Sequence, residues 1–139
     1  MADQEFRTFE EFWPFYVMEH QKKATRALHF IGTTAAMACV AGGLLTKRRW
    51  LLAVAPVAGY APAWFSHFVI EKNKPASFKY PVWSLRADLV MWSKIVRFQM
   101  GDEVERIRRE EEQREVAERE VARSNDGAAP AGSPSDAVN

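Results

Sequence analysis

Apolar and polar positions in this chain segregate into long blocks. Residues 27–46 carry no charged side chain and neither do residues 50–70, with Lys47, Arg48 and Arg49 between them. A helix rises about 1.5 Å per residue, so about 20 residues cross a hydrocarbon layer of about 30 Å. The two runs, 20 and 21 residues long, have that length. The second contains Pro56 and Pro62, which break a soluble helix but are tolerated within a membrane helix. A three-residue link predicts a tight antiparallel hairpin. Gly32, Ala36, Gly42, Gly59 and Ala63 supply small positions at which two helices approach closely.

The flanking segments read differently. Residues 8–20 predict an aromatic amphipathic helix, opened by a Thr8/Glu11 capping box and kinked at Pro14, with Phe9, Phe12, Tyr16 and His20 on one face. Trp13, Phe15 and Tyr16 suit a membrane interface. Residues 81–99 are apolar but interrupted by Arg86, Asp88, Lys94 and Arg97, which predicts a helix lying on the membrane rather than through it. Residues 102–123 form a charged helix with four scattered apolar residues, too few for heptads. Residues 124–139, rich in Ala, Ser, Pro, Gly and Asp, predict a disordered tail. The expected fold is all-α: an integral membrane hairpin of two spans, flanking interfacial helices and a charged C-terminal helix. The expected divisions are 1–100, 101–123 and 124–139.

Composition changes this picture little. Mean hydropathy is −0.30, yet residues 102–123 hold 15 of the 37 charged side chains, so the average hides the two uncharged runs. A net charge of +1 and the absence of a basic–aromatic pattern argue against nucleic acid as a partner. The single Cys39 excludes a disulfide framework. The first apolar run begins too far into the chain for a signal peptide. Lys22, Lys23, Arg26, Lys72, Lys74 and Lys79 outnumber the three basic residues of the turn, which predicts cytoplasmic termini, in a bacterial inner membrane or the endoplasmic reticulum.

Candidate chemistry rests on the three histidines. His29 lies 18 residues before Lys47 and His67 lies 18 residues after Arg49. In an antiparallel hairpin equal offsets mean equal depth, just inside one membrane face. His20 precedes His29 by nine residues, about 900° of continuous helix, so the two converge only if the chain bends around residues 21–25. Glu71 follows His67 by four residues and shares a helical face with it. His20, His29, His67 and Glu71 are therefore candidate metal ligands. Imidazole and carboxylate with open positions suit non-haem Fe(II), and zinc accepts the same ligands. Lys72 and Lys74 stand where they could attract a substrate carboxylate. Two histidines at one depth could also ligate haem from both sides, and a non-catalytic protein that organises lipid or partners is a further reading.

Four blocks carry a family resemblance: Phe12-x-x-Phe15-Tyr16-x-x-Glu19-His20; Arg26-x-Leu28-His29-Phe30-Ile31-Gly32-Thr33; Gly59-Tyr60-x-x-Ala63-Trp64-x-x-His67-Phe68-x-Ile70-Glu71-Lys72-Asn73-x-Pro75-Ala76; and Pro81-x-Trp83-Ser84-Leu85. In this order the chain resembles a small membrane-protein family, once catalogued as a domain of unknown function. The family is typified by the fungal 2-hydroxy-fatty-acid dioxygenase of phytosphingosine breakdown. The resemblance covers roughly residues 8–100. It implies Fe(II)-dependent α-oxidation at a membrane face, in which molecular oxygen cleaves a 2-hydroxy fatty acid to CO2 and the acid one carbon shorter. It also implies a catalytic role for His20, His29 and His67. The fungal form is longer, and it has a second adjacent histidine where this chain has Glu19.

Overall fold

A computed structural model of the chain describes residues 5–127. All regular structure among them is helical. The helices are α1 (Phe9–Met18), α2 (Lys23–Thr46), α3 (Arg49–Phe65), α4 (Pro81–Val96) and α5 (Met100–Gly127). A π turn (Ser66–Glu71) continues α3, and a short 3-10 turn (Ala76–Phe78) precedes α4. The described residues divide into two units, one up to Ile107 and the other from Arg108 onward.

The α1 start follows the sequence signal with one change. The Thr8 hydroxyl accepts from Glu11 N–H, but the Glu11 carboxylate reaches back to Arg7 N–H rather than to Thr8 itself. Two residues, Lys47 and Arg48, separate α2 from α3, and Lys47 closes α2 in the left-handed conformation. Gly43 then meets Leu52 and Gly32 meets Gly59, so α2 and α3 run back past each other. A Cβ on Gly32 would stand 2.6 Å from the Gly59 carbonyl oxygen. Only a glycine lets the two backbones approach this closely.

Both α2 and α3 with its π turn are long and apolar enough to cross a membrane. Only 17 % and 22 % of their most apolar windows are buried. Leu44, Leu45, Val57, Phe65, Phe68 and Val69 are exposed, so much of the apolar surface of these helices is not covered within the chain.

The core lies instead among α1, α4 and the first turns of α5. Phe12, Tyr16, Val17, Met91 and Ile107 are fully buried. The Phe12 ring packs edge-on to Phe6 and Tyr80 and tilted against Trp83, with centroids 5.5–5.6 Å apart. Trp13 Nε1 donates to Glu103 Oε1 at 2.8 Å. Trp13 and Tyr16, expected at headgroup level, are therefore core residues. Aromatic edges and faces satisfy one another here, and the indole N–H finds a carboxylate. The compact unit consequently extends past residue 100, because Met100 and Ile107 close its core.

Arg108 onward forms an exposed helix laced by the pairs Arg114–Glu111 and Arg119–Glu115. Such pairs contribute about 0.3–0.5 kcal/mol each. Residues 124–127, expected in the tail, continue this helix. The rest of the expected tail, 128–139, lies outside the described residues.

Candidate metal centre

Three elements bring the histidines together. His20 sits in the turn between α1 and α2, where the chain bends as the nine-residue spacing requires. His29 is on α2, and His67 is on the π turn. All three are buried, with ring centroids 4.4, 4.5 and 5.1 Å apart and nearly perpendicular planes. One ring nitrogen from each lies within 4.8 Å of the others.

The hydrogen bonds decide which nitrogen that is. His20 Nδ1 lies 2.6 Å from the Tyr16 carbonyl oxygen. His29 Nδ1 lies 2.7 Å from Asp88 Oδ1, and His67 Nδ1 lies 2.8 Å from Asn73 Oδ1. Asn73 Nδ2 donates to the Glu19 carboxylate and carbonyl, which turns its oxygen toward His67. Each partner is an oxygen acceptor, so each Nδ1 carries the proton and each Nε2 keeps its lone pair. His20 Nε2 and His29 Nε2 face each other at 3.2 Å. Two nitrogens held about 2.1 Å from one ion stand about 3.0 Å apart at a right angle and about 3.4 Å at the tetrahedral angle. The space enclosed by the rings with Tyr60, Ala63 and Ser84 is about 10 Å3, room for one water-sized guest. The three imidazoles could hold a single divalent transition-metal ion.

A family model described as 2-hydroxy-palmitic acid dioxygenase Mpo1-like matches residues 6–100. The chain belongs to the Mpo1-like family. No curated protein and no solved structure matches it.

The Mpo1-like segment contains the whole imidazole cluster and the groups that orient it. Burial, then the neighbouring His29 and His67, pushes the His20 imidazole well below its ordinary value and keeps it neutral. The Tyr16 hydroxyl donates to Asp88, and burial followed by that carboxylate raises its pKa. Burial, then the charge of Glu71, raises the Glu19 carboxyl, against the hydrogen bond from Asn73.

Glu71 is brought elsewhere than expected. Its Oε1 accepts from Lys22 N–H at 2.9 Å, and Lys22 Nζ donates to the Ile70 carbonyl. The π turn inserts extra backbone into the helical repeat, so the four-residue spacing from His67 does not keep the α-helical face. Glu71 thus ties the π turn of His67 to the turn that carries His20. Arg26 acts on the same turn, with Nη1 donating to the His20 and Gln21 carbonyls at 2.8 and 2.5 Å. Lys72 and Lys74 are exposed and do not line the cavity.

Asp88 and Asn73 are the residues that spacing missed. Asp88 is 59 positions from His29 and looked like one more charge on an interfacial helix. Its one available signal was that it is the only carboxylate in the segment 81–99, whose other charged residues are basic. Asn73 stood within the quoted blocks, but nothing in its spacing marked it as a partner of His67.

Proposed function

We propose that this Mpo1-like chain is an Fe(II)-dependent, membrane-embedded dioxygenase that converts a 2-hydroxy fatty acid to the acid one carbon shorter. The observation that carries this reading is the convergence of three buried Nε2 lone pairs, each aimed by an oxygen on its own Nδ1. His20, His29 and His67 hold the ion. Asp88, Asn73 and the Tyr16 carbonyl fix the tautomers and ring planes, as oriented histidine ligands require. Bound iron would supply the activation of molecular oxygen at this site. The reaction balances without another reductant. A 2-hydroxy acid and O2 give the shortened acid, CO2 and water, and the two carbons at the cleaved bond supply all four electrons.

In this reading α2 and α3 with its π turn form a spanning hairpin with cytoplasmic termini, and the histidines lie just inside the cytoplasmic face. A fatty acid then reaches the centre without leaving the bilayer. The haem alternative fits the geometry poorly: the His29 and His67 ring centroids stand 5.1 Å apart, and a space of about 10 Å3 among the rings leaves no room for a macrocycle.

The test is metal analysis and oxygen uptake on the purified full chain. Stoichiometric iron, O2 consumed one-for-one with CO2 released, and loss of both in His20→Ala, His29→Ala and His67→Ala are the expected results. A His29→Ala, His67→Ala double variant that keeps its iron and its oxygen uptake refutes the proposal. Full iron content without consumption of any 2-hydroxy acid refutes the activity and leaves the centre.

A further inference from the structure

The imidazole cluster opens into a larger space. A groove of about 600 Å3 begins at His29 and Asp88 and runs between α2 and α3 to Leu44 and Leu52. We propose that this groove is the acyl-chain channel of the enzyme and its chain-length ruler, with the acid's head group at Ser84 and its tail pointing toward Leu44. The inference rests on the reading above, that a 2-hydroxy fatty acid is the substrate.

Polarity runs one way along the groove. Its polar lining side chains, His29, Asp88, Tyr60 and Thr33, lie at or within one helical turn of the imidazole end, and the walls beyond are apolar. An amphiphile with one polar end fits that gradient, whereas an apolar helix from a partner leaves the polar end unmatched. Length agrees as well. His29 and Leu44 are 15 residues apart on α2, about 22 Å of helix. One leaflet of acyl chain is about 15 Å deep, so a full-length chain fits with its head at the histidines. Ala36, Ala41, Ala55 and Gly59 keep the groove open, and exposed Val40, Leu44 and Leu85 form a rim through which a lipid chain enters sideways.

Ser84 is the independent observation. It is 3 % exposed, and its Oγ has no hydrogen-bond partner. It lines the small cavity with the three imidazoles and lies one turn before Asp88 on α4. A buried hydroxyl left unpaired is costly unless a ligand completes it. A carboxylate or 2-hydroxyl beside the centre supplies that partner, and the groove then receives the tail.

Tryptophan plugs at two depths test the ruler in the iron-loaded full chain in lipid nanodiscs. Met37→Trp stands eight residues from His29, about 12 Å along the helix, and Ala41→Trp twelve residues, about 18 Å. Ala38→Trp, exposed on α2 and outside the groove lining, is the control. KM and kcat are measured over a ladder of 2-hydroxy acids of increasing length, with iron content measured in parallel. Met37→Trp should lower the longest accepted acid the most, Ala41→Trp by a smaller step, and Ala38→Trp not at all, all with full iron. Ser84→Ala should raise KM about tenfold at every chain length, the loss of one hydrogen bond to a charged group. A photoreactive palmitic acid with a terminal diazirine gives a readout without turnover, and its label should fall on residues near Leu44 and Leu52 and disappear in Met37→Trp. Turnover with one unchanged chain-length profile in all three tryptophan variants overturns the proposal. Label spread over the lipid-facing helices, or on a second copy of the chain, also overturns it. Groove labelling that Met37→Trp removes, in a protein that oxidises no 2-hydroxy acid, upholds the channel and refutes the activity instead.

Discussion

Asp88→Asn isolates the link between fold and metal centre. The substitution keeps the side chain's shape and removes its charge. Asp88 Oδ1 accepts from His29 Nδ1 at 2.7 Å and also from the Tyr16 hydroxyl. Hydrogen bonds to charged groups contribute about 1.5–3 kcal/mol, against about 1 kcal/mol for neutral pairs. The change therefore weakens the hold on His29 by about 0.5–2 kcal/mol, which is about 2- to 30-fold in ion affinity. Loss of such outer partners commonly costs about 10- to 100-fold, so a tenfold weakening is the expected centre of the range. If the amide turns its nitrogen toward the ring, the ring proton moves to Nε2, one ligand is lost, and the effect is larger. The assay is competition for Fe(II) or Co(II) between the purified protein and a chromogenic chelator under anaerobic conditions. Apo-protein melting is followed in parallel, to separate ligand orientation from unfolding. Asp88→Ala should cost more than Asp88→Asn, because two donors then lose their acceptor. A folded Asp88→Asn protein with ion affinity within about twofold of the parent would refute the assignment of Asp88 as the group that orients His29.

Three further expectations follow from the packing. Gly32→Val should abolish metal binding without touching a ligand, because its Cβ has only 2.6 Å to the Gly59 carbonyl oxygen and must push α2 off α3; a variant with normal iron stoichiometry would show that the helix crossing does not position His29 against His67. Burial alone would raise the Glu103 carboxyl, but hydrogen bonds from Arg106 and Trp13 and the charges of Lys94 and Arg106 outweigh it and hold the pKa at about 2. That depressed value contributes stability above the unfolded carboxylate's pKa, and the contribution is lost as pH falls from about 4.5 toward 2. Glu103→Gln should therefore lower the melting temperature at neutral pH and flatten its fall over that window; an unchanged acid profile would contradict the sign. After Cys39→Ser, single cysteines near residues 20 and 75 should label from one side of the membrane and a cysteine at 48 from the other; labelling of all three from one side without lysis would remove the spanning hairpin.

Residue periodicity by itself determined the helical class, the two apolar runs and the short link between them, because burial and helix winding both write themselves into local spacing. It also indicated that His29 and His67 share a level, since equal offsets from the two ends of the 47–49 link mean equal depth in an antiparallel hairpin. The nine-residue spacing required a bend before His29, and the chain bends there. What only the tertiary structure decided is how those rings are aimed. Asp88 reaches His29 across 59 positions, and Trp13 reaches Glu103 across 90. Separations of that size leave no period in the sequence, because they depend on how α4 and α5 pack against α1 and α2. Aromatic residues in α1 have the composition of a membrane-interface belt and of a packed core alike, and the partners Phe6, Tyr80 and Trp83 select the core. Glu71 shows the same limit within a single helix. Its four-residue spacing from His67 has meaning only for α-helical winding, and the π turn removes that premise. Three histidines could be read as ligands from the sequence, but the oxygen acceptors on their Nδ1 atoms, which leave every Nε2 free for one ion, exist only where the folded chain brings four separate segments together.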